Sequence, residues 1–181
     1  MEPMFYFFNF STCITLLRVF LVPFIMTAVY KQSWFLAGSL FLVAALTDFF
    51  DGYCARLFQE ETEFGKVLDP VADKILIFTT IWALYKTVGQ ELIPEWFVLL
   101  LLLKDFILIV GALFLLKKKN AVLNPSKISK WTTFLLMILI IYIFMIKFGY
   151  LPDSFVNISI QLLTLSTIVI FFDYAYKIYR L

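Results

Sequence analysis

The chain has no histidine among its 181 residues. That removes Ser-His-Asp triads, imidazole acid/base chemistry and histidine metal sites. Charge is also scarce. Only 15% of residues are charged, against about 25% in soluble domains. The net charge is only +2, which gives no basic footprint for a nucleic acid. There are two cysteines, Cys13 and Cys54, both in apolar runs and neither in a C-x-x-C pair. A disulfide framework or a zinc site is therefore not expected, and both thiols read as small packing groups. Met1 to Phe10 contains no lysine or arginine. It lacks the basic start of a signal peptide, so the first apolar run is expected to stay in the mature protein.

What is abundant is apolar surface. Hydrophobic residues make up 62% of the chain, and the mean hydropathy is +0.93. This excludes a disordered chain or a collagen and points to an integral membrane protein. Six apolar runs can be placed: Thr12–Tyr30, Trp34–Phe58, Val67–Val88, Ile93–Leu116, Ile128–Phe148 and Phe155–Ile178. Each approaches or exceeds the roughly 20 residues of a membrane-crossing helix. The expectation is an all-α protein with six transmembrane helices in one domain, residues 1–181. Six spans place both termini on one side, with the second and fourth loops. That side carries Arg56, Lys66, Lys117, Lys118, Lys119, Lys127, Lys130, Lys177 and Arg180; the other carries Lys31, Lys86 and Lys147. The positive-inside rule then puts the termini in the cytoplasm. Trp34, Trp96 and Tyr150 fall near run ends, as interface anchors do.

Ionisable residues inside spans are costly, which makes each a functional candidate. Asp48 and Asp51 lie in the second run; Asp69, Asp73 and Lys74 lie in the third. Asp48 and Asp51 are three apart and share a helix face with Gly52 and Ala55. Asp69 and Asp73 are four apart, with Gly65 one turn before them. The second span runs toward the cytoplasm and the third runs back, so a helical hairpin brings all four aspartates to a similar depth. Clustered carboxylates need a cation. Arg56 and Lys74 could supply it as structural partners. All-oxygen ligation without His or Cys suits a hard ion, Mg²⁺ or Mn²⁺. Two such ions about 4 Å apart can clamp the attacking and leaving oxygens of a phosphoryl transfer.

The stretch reads Asp48-x-x-Asp51-Gly52-x-x-Ala55-Arg56, then eight residues to Gly65, three to Asp69 and three to Asp73. It resembles the signature of the CDP-alcohol phosphatidyltransferase family, and all eight fixed positions match at the right spacing. By chance such a match arises on the order of once in 10¹⁰ windows. Family members often open the first span with P-N-x-x-T-x-x-R. Here Thr15 and Arg18 are kept and the Pro-Asn is not. A later G-K-x-x-T element resembles Ser129-Lys130-Trp131-Thr132-Thr133.

The resemblance implies a family-like six-helix bundle and assigns residues. Asp48, Asp51 and Asp69 match metal-binding carboxylates. Asp73 matches the carboxylate that activates the acceptor hydroxyl, with possible metal contact. Gly52, Ala55 and Gly65 match small positions lining the CDP pocket, beside the motif's Arg56. The implied substrates are a CDP-linked lipid, usually CDP-diacylglycerol, and an alcohol. The cofactor is Mg²⁺ or Mn²⁺, and the assembly a homodimer through the spans. The first expectation for the acceptor is glycerol 3-phosphate, giving phosphatidylglycerophosphate and CMP. Lys104, Lys127 and Lys130 are candidate contacts to such an anion, and a local pair with Asp105 or with a carboxylate of the cluster is the structural alternative for Lys104. The Lys104-Asp105 pair and Asn124 to Lys130 also resemble the eukaryotic-type cardiolipin synthase branch, which uses phosphatidylglycerol. A reading of another class is a cation channel or transporter using the Asp cluster. All four aspartates at one membrane face, rather than along a path across it, speak against that. The expected setting is the bacterial inner membrane with the site facing the cytoplasm.

Overall fold

The structure is a computed structural model that describes residues 10–58, 63–119 and 127–180. Within these, side chains are described for 14–47, 71–107, 129 and 131–173. Six helices follow one another: α1 Phe10–Tyr30, α2 Trp34–Phe58, α3 Glu63–Val88, α4 Glu95–Lys119, α5 Lys127–Lys147 and α6 Ser154–Arg180. Each coincides with an apolar run of the sequence. Such runs become helices because a helix satisfies its own backbone N–H and C=O groups where no water can.

The described connections are short and built from recognisable stops. After α1, Gln32 takes a left-handed backbone with φ 56°. Its N–H donates to Val29 O, and the Ser33 N–H donates to Ala28 O. This is a Schellman closure, with glutamine in the place usually taken by glycine. After α5 the same closure uses Gly149 at φ 80°, with Gly149 N–H on Ile146 O and Tyr150 N–H on Met145 O. α3 stops at Gly89, φ 88°.

α1 packs along both α2 and α3. α5 rests on α2 and α6, and α4 touches α3 and α6. Gly38 on α2 lets α5 come close: a Cβ there would sit 3.4 Å from Phe144. Phe41 and Phe144 meet nearby with ring centroids 6.0 Å apart. Ile25, Ala37, Leu76, Ile81, Phe97 and Ile140 complete a buried apolar centre.

Among the described residues, much of the outside is apolar too. Phe20, Phe35, Phe106 and Phe172 are each more than 60% exposed. So much exposed aromatic surface is unstable in water and fits a lipid environment. Ser154–Asp173 of α6 is long and apolar enough to cross a membrane by length and composition. Shorter apolar stretches are Ile14–Tyr30, Trp34–Thr47 and Trp131–Lys147, among the described residues. Trp96 and Tyr150 stand exposed at helix ends, as expected of interface anchors, and Trp131 joins them at the start of α5. Lys86 lies over the Trp82 and Tyr85 rings, 5.0 and 5.2 Å from their centroids.

Candidate active site

Helix register sets the depth of the motif. Asp48 lies ten residues before the end of α2, and Asp73 lies ten residues after the start of α3. At about 1.5 Å per residue each is some 15 Å in from its helix end. Asp51 and Asp69 lie seven and six residues from those same ends. Along the two helices the aspartate pairs thus lie at similar distances from the ends that face the 59–62 connection. The side chains of Asp48, Asp51, Gly52, Ala55, Arg56, Gly65 and Asp69 lie outside the described residues, as do those of Lys127 and Lys130. Among the described residues, no group of three or more His, Cys, Asp or Glu gathers to hold a metal ion.

Asp73 is the motif carboxylate whose surroundings are described. Its side chain is 25% exposed, and its Oδ1 accepts a hydrogen bond from Arg18 Nη1 in an ion pair. Arg18 lies eight residues into α1 and is fully buried. Its partnership with Asp73 was not anticipated from the sequence. The available signal was Arg18 itself, a basic residue inside an apolar run and three residues after the also-buried Thr15.

Lys74 was, with Arg56, the structural alternative to a metal as a partner for the aspartate cluster. The structure takes it elsewhere: its Nζ lies 3.2 Å from Asp105 Oδ1 on α4. Consecutive helical residues point about 100° apart, and here Asp73 meets α1 while Lys74 meets α4. The buried Lys104 Nζ approaches that same oxygen at 3.5 Å. Lys104 thus makes the local pair with Asp105 that was the structural alternative for it. One carboxylate oxygen holds two ammonium groups, and the cluster keeps a surplus positive charge. It borders a cavity of about 30 Å³ between α3, α4 and α5, where Thr133 adds a hydroxyl. That Thr133 hydroxyl donates to Ser129 O at 3.1 Å. One residue earlier, the Thr132 hydroxyl donates to Ser166 Oγ at 3.2 Å and ties α5 to α6. The Ser129–Thr133 element therefore contributes to the cavity wall and to a helix contact.

The donor set can be tested against a divalent ion. It consists of carboxylates carried by α2 and α3, the chemistry a hard cation takes. Asp73 already receives a positive group, so its position accepts positive charge. In kind, such a set suits a divalent metal ion.

Residues 8–175 match the family described as CDP-alcohol phosphatidyltransferase. Three relatives carry the name CDP-diacylglycerol--glycerol-3-phosphate 3-phosphatidyltransferase. The protein of Cereibacter sphaeroides is 34% identical over 139 residues, which cover 73% of this chain and 61% of that protein. That of Aquifex aeolicus is 36% identical over 125 residues, 69% of each chain. That of Rickettsia felis is 37% identical over 132 residues, 71% of each chain.

Proposed function

Since the chain belongs to the CDP-alcohol phosphatidyltransferase family, we propose that it transfers the phosphatidyl group of CDP-diacylglycerol to glycerol 3-phosphate. The products are phosphatidylglycerophosphate and CMP. The observation that carries this reading is the complete eight-position motif on α2 and α3. The names of the three relatives support the choice of acceptor.

In this reading the acceptor hydroxyl oxygen attacks the phosphorus that bears the diacylglycerol. A new O–P bond forms, and the P–O bond to CMP breaks with its electron pair leaving on CMP. Asp73 receives the hydroxyl proton as general base. Asp48, Asp51 and Asp69 would hold the metal, with Asp73 at its edge. When bound, Mg²⁺ or Mn²⁺ supplies charge neutralisation for the diphosphate and the leaving group. Gly52, Ala55 and Gly65 keep the helix surfaces low enough for the cytidine diphosphate, and Arg56 adds a positive charge beside it. No Ser, Cys or His nucleophile is needed, so the displacement is direct.

The acceptor carries its own phosphate, and Lys104, Lys127 and Lys130 are its proposed contacts. The surplus charge of the Lys74–Asp105–Lys104 cluster supports that placement. Lys127 opens α5, where a cation gains nothing from the helix dipole; its charge suits an anionic ligand or headgroup. The architecture proposed around the site is a single domain of six spans, dimerising through the spans in a bacterial inner membrane. Termini and site face the cytoplasm, supported by the uneven distribution of lysine and arginine.

The test is an assay of purified protein with CDP-diacylglycerol and Mg²⁺ or Mn²⁺, offering glycerol 3-phosphate and phosphatidylglycerol separately. CMP release with glycerol 3-phosphate is expected. Release only with phosphatidylglycerol would transfer the reading to cardiolipin synthesis. Cation flux without any release would move it to a channel.

A further inference from the structure

Asp73 and Lys74 are consecutive on α3 and each is tied to a different helix. Asp73 goes to Arg18 on α1, and Lys74 goes to Asp105 on α4. Two such ties, about 100° apart around the helix, fix the rotation of α3 where the motif ends. Arg18 is an unusual choice for one of them, because it is wholly buried and far into an apolar helix. A tie alone could use a shorter polar side chain. Arginine adds a permanent charge and a rigid planar fork of donors.

The charge matters for the carboxylate count. Asp48, Asp51, Asp69 and Asp73 together carry four negative charges. Two divalent ions would be balanced in formal charge by all four. With Arg18 on Asp73, one negative charge is already answered, and the loaded site keeps a net positive charge toward the diphosphate. Asp69 and Asp73 are one helical turn apart, within reach of a shared ion. Something must therefore hold Asp73 back if it is to receive a proton.

We propose that Arg18 is a positioning residue for Asp73: its ion pair anchors the carboxylate to α1, withholds it from full metal ligation and presents it to the acceptor hydroxyl. This rests on the reading of Asp73 as the general base. The two are separable, because the restraint acts on metal binding before any substrate is present.

The experiment titrates Mn²⁺ into purified protein without substrate and follows free Mn²⁺ by electron paramagnetic resonance. It compares wild type, Arg18→Gln, Arg18→Lys, Asp73→Asn and the Arg18→Gln/Asp73→Asn double variant, with kcat and KM measured beside it. Arg18→Gln should tighten Mn²⁺ binding about tenfold, as Asp73 becomes a full ligand. It should lower kcat by about 10²-fold with the KM for CDP-diacylglycerol within about twofold. Arg18→Lys keeps the charge without the fork and should fall between. In the Asp73→Asn background, Arg18→Gln should change Mn²⁺ affinity no further. Unchanged affinity in Arg18→Gln would overturn the proposal, as would the same tightening with Asp73 already neutral. If Arg18→Gln does not fold, Arg18→Lys decides: wild-type affinity and kcat there would also overturn it. Full turnover by Asp73→Asn would instead sink the general-base reading, while the 18–73 coupling in Mn²⁺ binding would still report on the restraint.

Discussion

Asp105→Asn should destabilise the bundle more than removal of either lysine it holds. Asp105 Oδ1 lies 3.2 Å from Lys74 Nζ and 3.5 Å from Lys104 Nζ. The two contacts are not equal. The Lys74 side chain is 39% exposed, so its pair is screened and contributes at most about 1 kcal/mol. The Lys104 side chain is 4% exposed. Breaking a buried pair by deleting one partner costs about 3–5 kcal/mol, because the other charge stays behind without compensation. Asp105→Asn also leaves the two lysines without the carboxylate between them, and their mutual repulsion adds to that cost before relaxation. Lys74 can swing outward and relieve it, so about 3–5 kcal/mol is the expected total.

Lys104→Met is the informative comparison. It removes the buried cation and leaves Asp105 with Lys74, so its cost should stay below about 2 kcal/mol. The double variant Asp105→Asn/Lys104→Met should recover most of the Asp105→Asn loss. Thermal unfolding in a fixed detergent reads all three. For a chain of this length, the Asp105→Asn loss corresponds to a Tm decrease of about 10 °C. A decrease under about 3 °C would refute the reasoning. So would a double variant no more stable than Asp105→Asn alone, since the damage would then not come from an orphaned Lys104.

Asp73→Asn should reduce CMP release by at least about 10²-fold while most CDP-diacylglycerol binding survives; near-normal turnover with bound lipid would remove the base from Asp73. Chelation of divalent ions should abolish CMP release, and Mg²⁺ or Mn²⁺ should restore it; full activity in chelator would argue against metal at the aspartates. Gly149→Ala should cost about 1 kcal/mol of stability through its backbone alone, because φ is 80° and nothing lies within 4 Å of the added Cβ. A stability equal to wild type would show that the α5 stop does not need the left-handed conformation.

The helices were legible because a long apolar run with polar punctuation has little else to become. The ends were less so. α1 starts at Phe10 and α3 at Glu63, two and four residues before the apolar runs begin. Apolarity does not mark a first turn, whose N–H groups can be served by polar or acidic residues; Glu63 at the start of α3 also suits the helix dipole. The motif was legible for a related reason: intervals of three and four are distances along one helix, and a sequence records those directly. Partners across helices are different. Whether Lys74 answers the aspartates or Asp105 depends on how α3 is rotated between α1 and α4, and no interval in the chain states that rotation. The buried Arg18 helps set it. Once Arg18 claims Asp73 on the α1 side, Lys74 is turned some 100° away and meets α4. Lys104 was already conspicuous as a charge in an apolar run, but its environment follows from the same rotation. A lysine beside Asp105 in sequence becomes half of a two-lysine cluster only because α3 delivers Lys74 to the same oxygen. Among the described residues, the Asp73 and Lys74 contacts that the sequence hides are thus two consequences of one degree of freedom, the turn of α3 about its axis.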